Sequence, residues 1–260
     1  MAYTAEQLEE FAEHYAKWMD RQSHLTTRVL THVYRKEKSR TLAAHGLVRR
    51  ISTLVRCMDR VYNLVPLDAE KPARSDTDEA AIFLQAFIIN VYGAIDNIAR
   101  IWVWETDLTK PNGGAMPQKW IGLGVGCEVV RQSLSQPFQE YLTQTDQWFE
   151  YLENYRHALA HRVPLYIPPK RLDEEATAKY HELEAQQMAA LKAHEFDKYA
   201  ELMVEQAALG DFEPWMMHSF GPADEDGTPI RFHPQMICDI GTVVKLSEKM
   251  MTELEALPAE

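Results

Sequence analysis

The residues best suited to chemistry are crowded into one stretch, residues 153–164, which read ENYRHALAHRVP. Within about two helical turns stand Arg156, His157, His161 and Arg162, followed by Pro164, which a helix interior does not tolerate. Arginine offers a permanent cationic fork for phosphate or carboxylate, and histidine is the side chain that moves protons near neutral pH. Together they suit phosphoryl chemistry: one group to hold the anion, another to act as general acid or base. His161 falls at the helix C-terminus, where the dipole favours a cation. Glu153, His157 and His161 also recur one turn apart, a spacing open to a metal ion, but the H-E-x-x-H pattern is absent and no fourth ligand is evident. Three solvated side chains at a helix end are the commoner meaning of such a row, and no metal or cofactor is expected.

Turning each residue by 100° through residues 137–161 places Phe138, Tyr141, Leu142, Trp148, Phe149, Leu152, Tyr155 and Leu159 on one broad arc, with Arg156 in its middle. A guanidinium on a core-facing stripe is costly unless it meets a carboxylate, several carbonyls or an anionic ligand. Asp96 is the internal carboxylate that could serve it.

The elements that must position this stretch are helical from end to end. Thr4 and Gln7 make a capping box for a helix over residues 4–33. A second helix starts from Ser39 as N-cap and stops before Pro66; Ile51, Leu54, Val55, Met58, Val61 and Tyr62 line its buried face, and Arg49, Arg56 and Arg60 line the other. A third, from Thr77 or Asp78 to Glu105, is apolar nearly all round and belongs at the centre of a bundle. Its polar residues Asn90, Asp96, Asn97 and Arg100 need partners, and Asp96 with Arg100 are spaced to pair with each other. The GLGVG within residues 110–126 lacks the preceding strand and the Gly-Lys-Ser/Thr ending of a phosphate loop, so its glycines read as loop residues. After the 137–161 helix, VPLYIPPK is extended because of its prolines, residues 173–208 form one or two exposed helices, and a turn-rich stretch leads to a last helix over residues 234–257. The expectation is an all-α single domain over residues 1–260, an antiparallel bundle in which residues 163–232 form an extended segment and helical insertion before the last helix.

An arginine followed by a polar residue and then a histidine, on a helix of an all-α bundle, resembles the signature of the HEPN superfamily; here it is Arg156, His157, Ala158, Leu159, Ala160, His161. The resemblance implies a helical bundle that dimerises and, in many members, a metal-independent endoribonuclease, often in toxin-antitoxin or defence systems. It implies Arg156, His161 and His157 as catalytic residues; Arg162, Asn97 and Arg100 are the candidate substrate-binding residues. The branch with a tyrosine two residues after the histidine is not matched, since Val163 stands there. Arg156 and His161 point about 140° apart on an ideal helix. A homodimer that brings two such helix ends together would let the two chains share one cleft on RNA. The rival expectation is a non-catalytic HEPN-like dimer that binds a nucleotide or a protein partner.

Composition narrows the setting. With 46% hydrophobic and 25% charged residues, 260 residues can bury a sizeable core. The net charge of -12 disfavours a surface that attracts nucleic acid as a whole. The charge is uneven: residues 21–60 hold ten Lys/Arg against two acidic residues, and residues 171–260 hold seven against nineteen. Pairing of these faces within the fold or between subunits is one outcome, a basic groove for a polyanion the other. Cys57, Cys127 and Cys238 have no metal or redox spacing and read as reduced thiols. The first residues lack a signal peptide, and Gln85 and Asn90 interrupt the longest apolar stretch, so a cytoplasmic, non-membrane protein is expected.

Overall fold

The structure is a computed structural model, described for residues 2–161, 163–219 and 229–258. Four long helices carry the core: α1 (Ala5–Thr31), α3 (Val48–Leu64), α4 (Arg74–Glu105) and α10 (Phe232–Glu255). Shorter ones complete the helical set: α2 (Glu37–Leu42), α5 (Glu128–Gln132), α6 (Gln136–Gln144), α7 (Asp146–His161), α8 (Glu174–Lys192) and α9 (Phe196–Ala208). α4 packs on α3, α7 and α10, and α10 also packs on α1. The fold is mainly helical, but it is not purely so. β1 (Val163–Tyr166), β2 (Trp215–Ser219) and β3 (Ile230–Arg231) form a three-stranded antiparallel sheet in the order β1-β2-β3. The extended reading of VPLYIPPK holds for β1, whereas β2 lay hidden in a stretch read as turns, because its pairing partner is some fifty residues away.

The start of α1 is as expected: Thr4 Oγ1 accepts from the Gln7 amide while Gln7 Oε1 accepts from the Thr4 amide. The second helix begins differently. Ser39 is not an N-cap but a fully buried residue of α2. The amides of Arg35 and Lys36, ahead of α2, are met instead by the carboxylate of Glu105, at 2.8 and 3.1 Å, from the far end of α4. Between α2 and α3, Ala43–Leu47 form one π-helical turn, a local widening of the helix. With the Asn97 amide oriented to satisfy both its groups, Oδ1 accepts from the Leu47 amide at 3.1 Å and Nδ2 donates to the Gly93 carbonyl at 3.2 Å. Asn97 is thereby the polar pin between the π turn and α4.

α4 is buried on most sides, although Ile82 and Ile89 open to solvent. By length and composition α4 would also pass for a membrane span, and half of its most apolar window is buried inside the protein.

The helix expected over residues 137–161 is two helices. α6 ends at Gln144, where the Thr145 hydroxyl bonds back to the Tyr141 and Leu142 carbonyls, and Asp146 starts α7 with its carboxylate on Arg131. A projection carried through Thr145 at a constant 100° therefore loses register. In α7 the buried face is Leu152, Tyr155 and Ala158, which puts Arg156 about 100° off its centre. α7 is fastened to α10 by Asp239, 1% exposed, whose carboxylate accepts from Trp148 Nε1 at 2.8 Å, Gln235 Nε2 at 2.7 Å and Tyr151 OH at 3.3 Å. Burial pushes the Asp239 carboxyl up to about 7, with those three donors opposing. In the insertion, α8 and α9 form a hairpin around their own small cluster of Leu183, Ala190 and Leu202. Its base closes where Arg171 and Asp211 bridge; Gly210 has φ +72°, and a Cβ there would lie 2.4 Å from the Arg171 carbonyl oxygen.

Candidate functional site

A cleft of about 940 Å³ runs between α4 and α7, walled by the glycine-rich loop of residues 118–127. Those glycines lie in a loop with no strand before it among the described residues. They nonetheless form one side of the cleft, with Ile121, Leu123 and Val125 between them. Arg156 reaches into this cleft half-buried, its guanidinium carbon 4.8 Å from the centre of the Tyr92 ring of α4. Burial pushes the Tyr92 phenol up, while the Arg156 charge pulls it the other way.

The internal ion pair expected for Arg156 is not formed. Asp96 is held by Arg100, Nε to Oδ2 at 2.7 Å, and Arg100 also reaches Gln118. The i,i+4 pairing of Asp96 with Arg100 thus decides the matter: the carboxylate is engaged on its own helix. Among the described residues Arg156 has no carboxylate within ion-pair distance, so its partners are an aromatic face and the open cleft.

Arg50 of α3 enters the same cleft. Its guanidinium crosses α4 at Gly93, where a Cβ would lie 2.4 Å from its Nη1 and Cζ atoms, and Nη1 donates to Asn90 Oδ1 at 3.0 Å. Only the absent side chain of Gly93 leaves room for that crossing. Arg50 and Tyr92 were not singled out in the sequence, although a lone glycine in the middle of a helix is a sign of close approach.

The remaining candidate residues are dispersed. His157 lies half-exposed outside the cleft, Nε2 3.8 Å from Glu153 Oε1. His161 is exposed as the last residue of α7, which stays helical to that point. Arg156 and His161 of one chain therefore do not converge. Arg100 lines the cleft, paired as above. Asn97 is 5% exposed and faces the π turn, not the cleft; its bonds to Leu47 and Gly93 give it a structural part. Arg162 lies outside the described residues. Among the described residues no three His, Cys, Asp or Glu side chains are grouped to hold a metal ion, and Glu153, His157 and His161 do not form such a group.

Chemically, the cleft offers cations with neutral partners beside an aromatic ring and an apolar wall. Its carboxylates are engaged or at the rim: Asp96 with Arg100, Asp146 with Arg131, and Glu150 and Glu153 exposed. No protein-family model, curated protein or solved structure matches this chain.

Proposed function

We propose that the protein is a HEPN-like, metal-independent endoribonuclease that acts as a homodimer. The observation that carries this reading is Arg156, a half-buried guanidinium without a carboxylate partner among the described residues, on the same helix as the exposed His161. Arg156 holds the scissile phosphate and offsets the charge that builds on it. His161 of the second copy takes the proton from the ribose 2′-OH, whose oxygen attacks phosphorus. The P–O5′ bond breaks, the 5′-oxygen takes a proton from water, and a cyclic phosphate remains. The 140° divergence along α7 is the reason for assigning the histidine to a second chain. His157 orients the site from its flank.

The test is cleavage of single-stranded RNA in EDTA by wild type, Arg156→Ala and His161→Ala. Each substitution is expected to lower the rate about 10²- to 10⁴-fold. Equal residual activity in all three proteins would remove the proposal.

One observation favours a second reading, in which the protein binds a nucleotide and cleaves nothing: Arg156 and Tyr92 share the cleft, and His161 is not among its lining residues. That reading expects no product from the wild type, and nucleotide affinity unchanged by His161→Ala and lost in Arg156→Ala.

A further inference from the structure

Arg50 and Arg156 come from different helices, α3 and α7, yet their guanidinium groups lie over consecutive residues of α4, Gly93 and Tyr92. Both are half-buried, and both face the same cleft. Among the described residues neither has a carboxylate partner: Arg50 meets the neutral Asn90 amide, and Arg156 meets the neutral Tyr92 ring. Two like charges facing one partly enclosed cleft repel each other. The repulsion is relieved when an anion enters between them.

The route taken by Arg50 is built into the fold. The π turn at Ala43–Leu47 opens into α3, Asn97 pins that turn through the Leu47 amide, and Gly93 leaves the notch through which the side chain passes. The Asn90 bond then limits its rotation, so little side-chain entropy is left to lose on binding.

We infer that Arg50 and Arg156 form a two-guanidinium clamp for the phosphate of a nucleotide unit, with Tyr92 and the apolar wall beside it receiving the ring. A carboxylate has two oxygens and is satisfied by one arginine fork; a tetrahedral phosphate has oxygens for both. A cleft of about 940 Å³ is far larger than a bare phosphate needs. Ile89 and Val125, both exposed, supply the apolar surface that a base would cover. This inference deepens the proposed function and rests on its assignment of Arg156 to the phosphate; it adds Arg50 as a second binding residue that no motif marks.

The phosphate could arrive as a terminal monoester or within a strand. Two probes separate these sources: adenosine 5′-monophosphate, and a short single-stranded 2′-O-methyl oligonucleotide without terminal phosphates, which cannot be cleaved. Binding is measured by calorimetry in EDTA with the full chain. Arg50→Ala and Arg156→Ala are each expected to weaken at least one probe roughly tenfold or more. Gly93→Ala is expected to weaken it similarly with no change of charge, because the new methyl group evicts the Arg50 side chain from its notch. Arg49→Ala removes the same charge from the exposed face of α3 and is expected to leave affinity unchanged. Arg50→Gln replaces Gly93→Ala as the second variant if circular dichroism shows the latter misfolded.

Wild-type affinity retained in the Arg50 variants but lost in Arg156→Ala overturns the clamp and leaves the role of Arg156 standing. An equal loss in Arg49→Ala assigns the effect to net charge and overturns the clamp. Absence of binding of either probe to the wild type also overturns it, and the RNA cleavage assay then decides the proposed function by itself.

Discussion

Replacing Asp239 by asparagine takes a titratable group out of the joint between α7 and α10 while keeping its shape. Trp148 Nε1 and Gln235 Nε2 both donate to Oδ1, an atom asparagine retains, and the Tyr151 hydroxyl can turn to accept from the new Nδ2. What changes is titration. The Asp239 carboxyl stands at about 7 against an ordinary 3.8. Between those pH values the native state holds a proton that the unfolded state has released, so stability falls as pH rises through the window. Roughly three pKa units amount to about 4 kcal/mol.

His233 works in the opposite direction. It is fully buried, with Nε2 2.8 Å from the Val65 carbonyl and Nδ1 3.1 Å from the Tyr3 hydroxyl, and burial lowers it from 6.5 to about 4. Here the unfolded state holds the extra proton, so stability rises with pH across that window by about 3 kcal/mol. In the wild type the two slopes nearly cancel. In Asp239→Asn the histidine slope is left alone. Urea unfolding from pH 4 to 8, followed by tryptophan fluorescence, is expected to show the variant gaining about 4 kcal/mol relative to the wild type between pH 4 and 7. Wild-type and variant curves that stay parallel across this range would refute the assignment of a buried, proton-holding Asp239.

Two predictions concern the frame around the cleft. Glu105→Ala leaves the Arg35 and Lys36 amides without their charged acceptor and is expected to cost about 3 kcal/mol in urea unfolding, with Glu105→Gln costing less. Gly241→Ala places a Cβ 2.6–2.9 Å from the Trp18 ring where α1 meets α10, and is expected to lower stability by about 1–3 kcal/mol and shift the tryptophan emission.

Much of the helical frame was legible in the sequence, because its signals are local. The Thr4–Gln7 box marks the start of α1, the apolar period marks α3, and near-continuous apolarity marks α4 as the central helix. The Asp96–Arg100 pair was legible for the same reason, both partners lying one turn apart on one helix. Where a partner lies far along the chain, local pattern was silent. Glu105 serves residues 35 and 36, β1 pairs with β2 across the insertion, and Asn97 pins a π turn instead of facing the cleft. Arg156 stood out in the sequence for a reason the structure revises: the break at Thr145 moves it from the centre of the buried face to its flank, where it opens on the cleft.

By itself, then, the sequence determined most of the helical segments and offered residues whose types suit phosphate chemistry, since capping and periodicity act over a few residues. The tertiary structure alone decided which of those residues share a space. Arg50 faces the same cleft as Arg156 because one α4 residue has no side chain. That outcome depends on how separate helices pack, and no single helix encodes it in its own pattern.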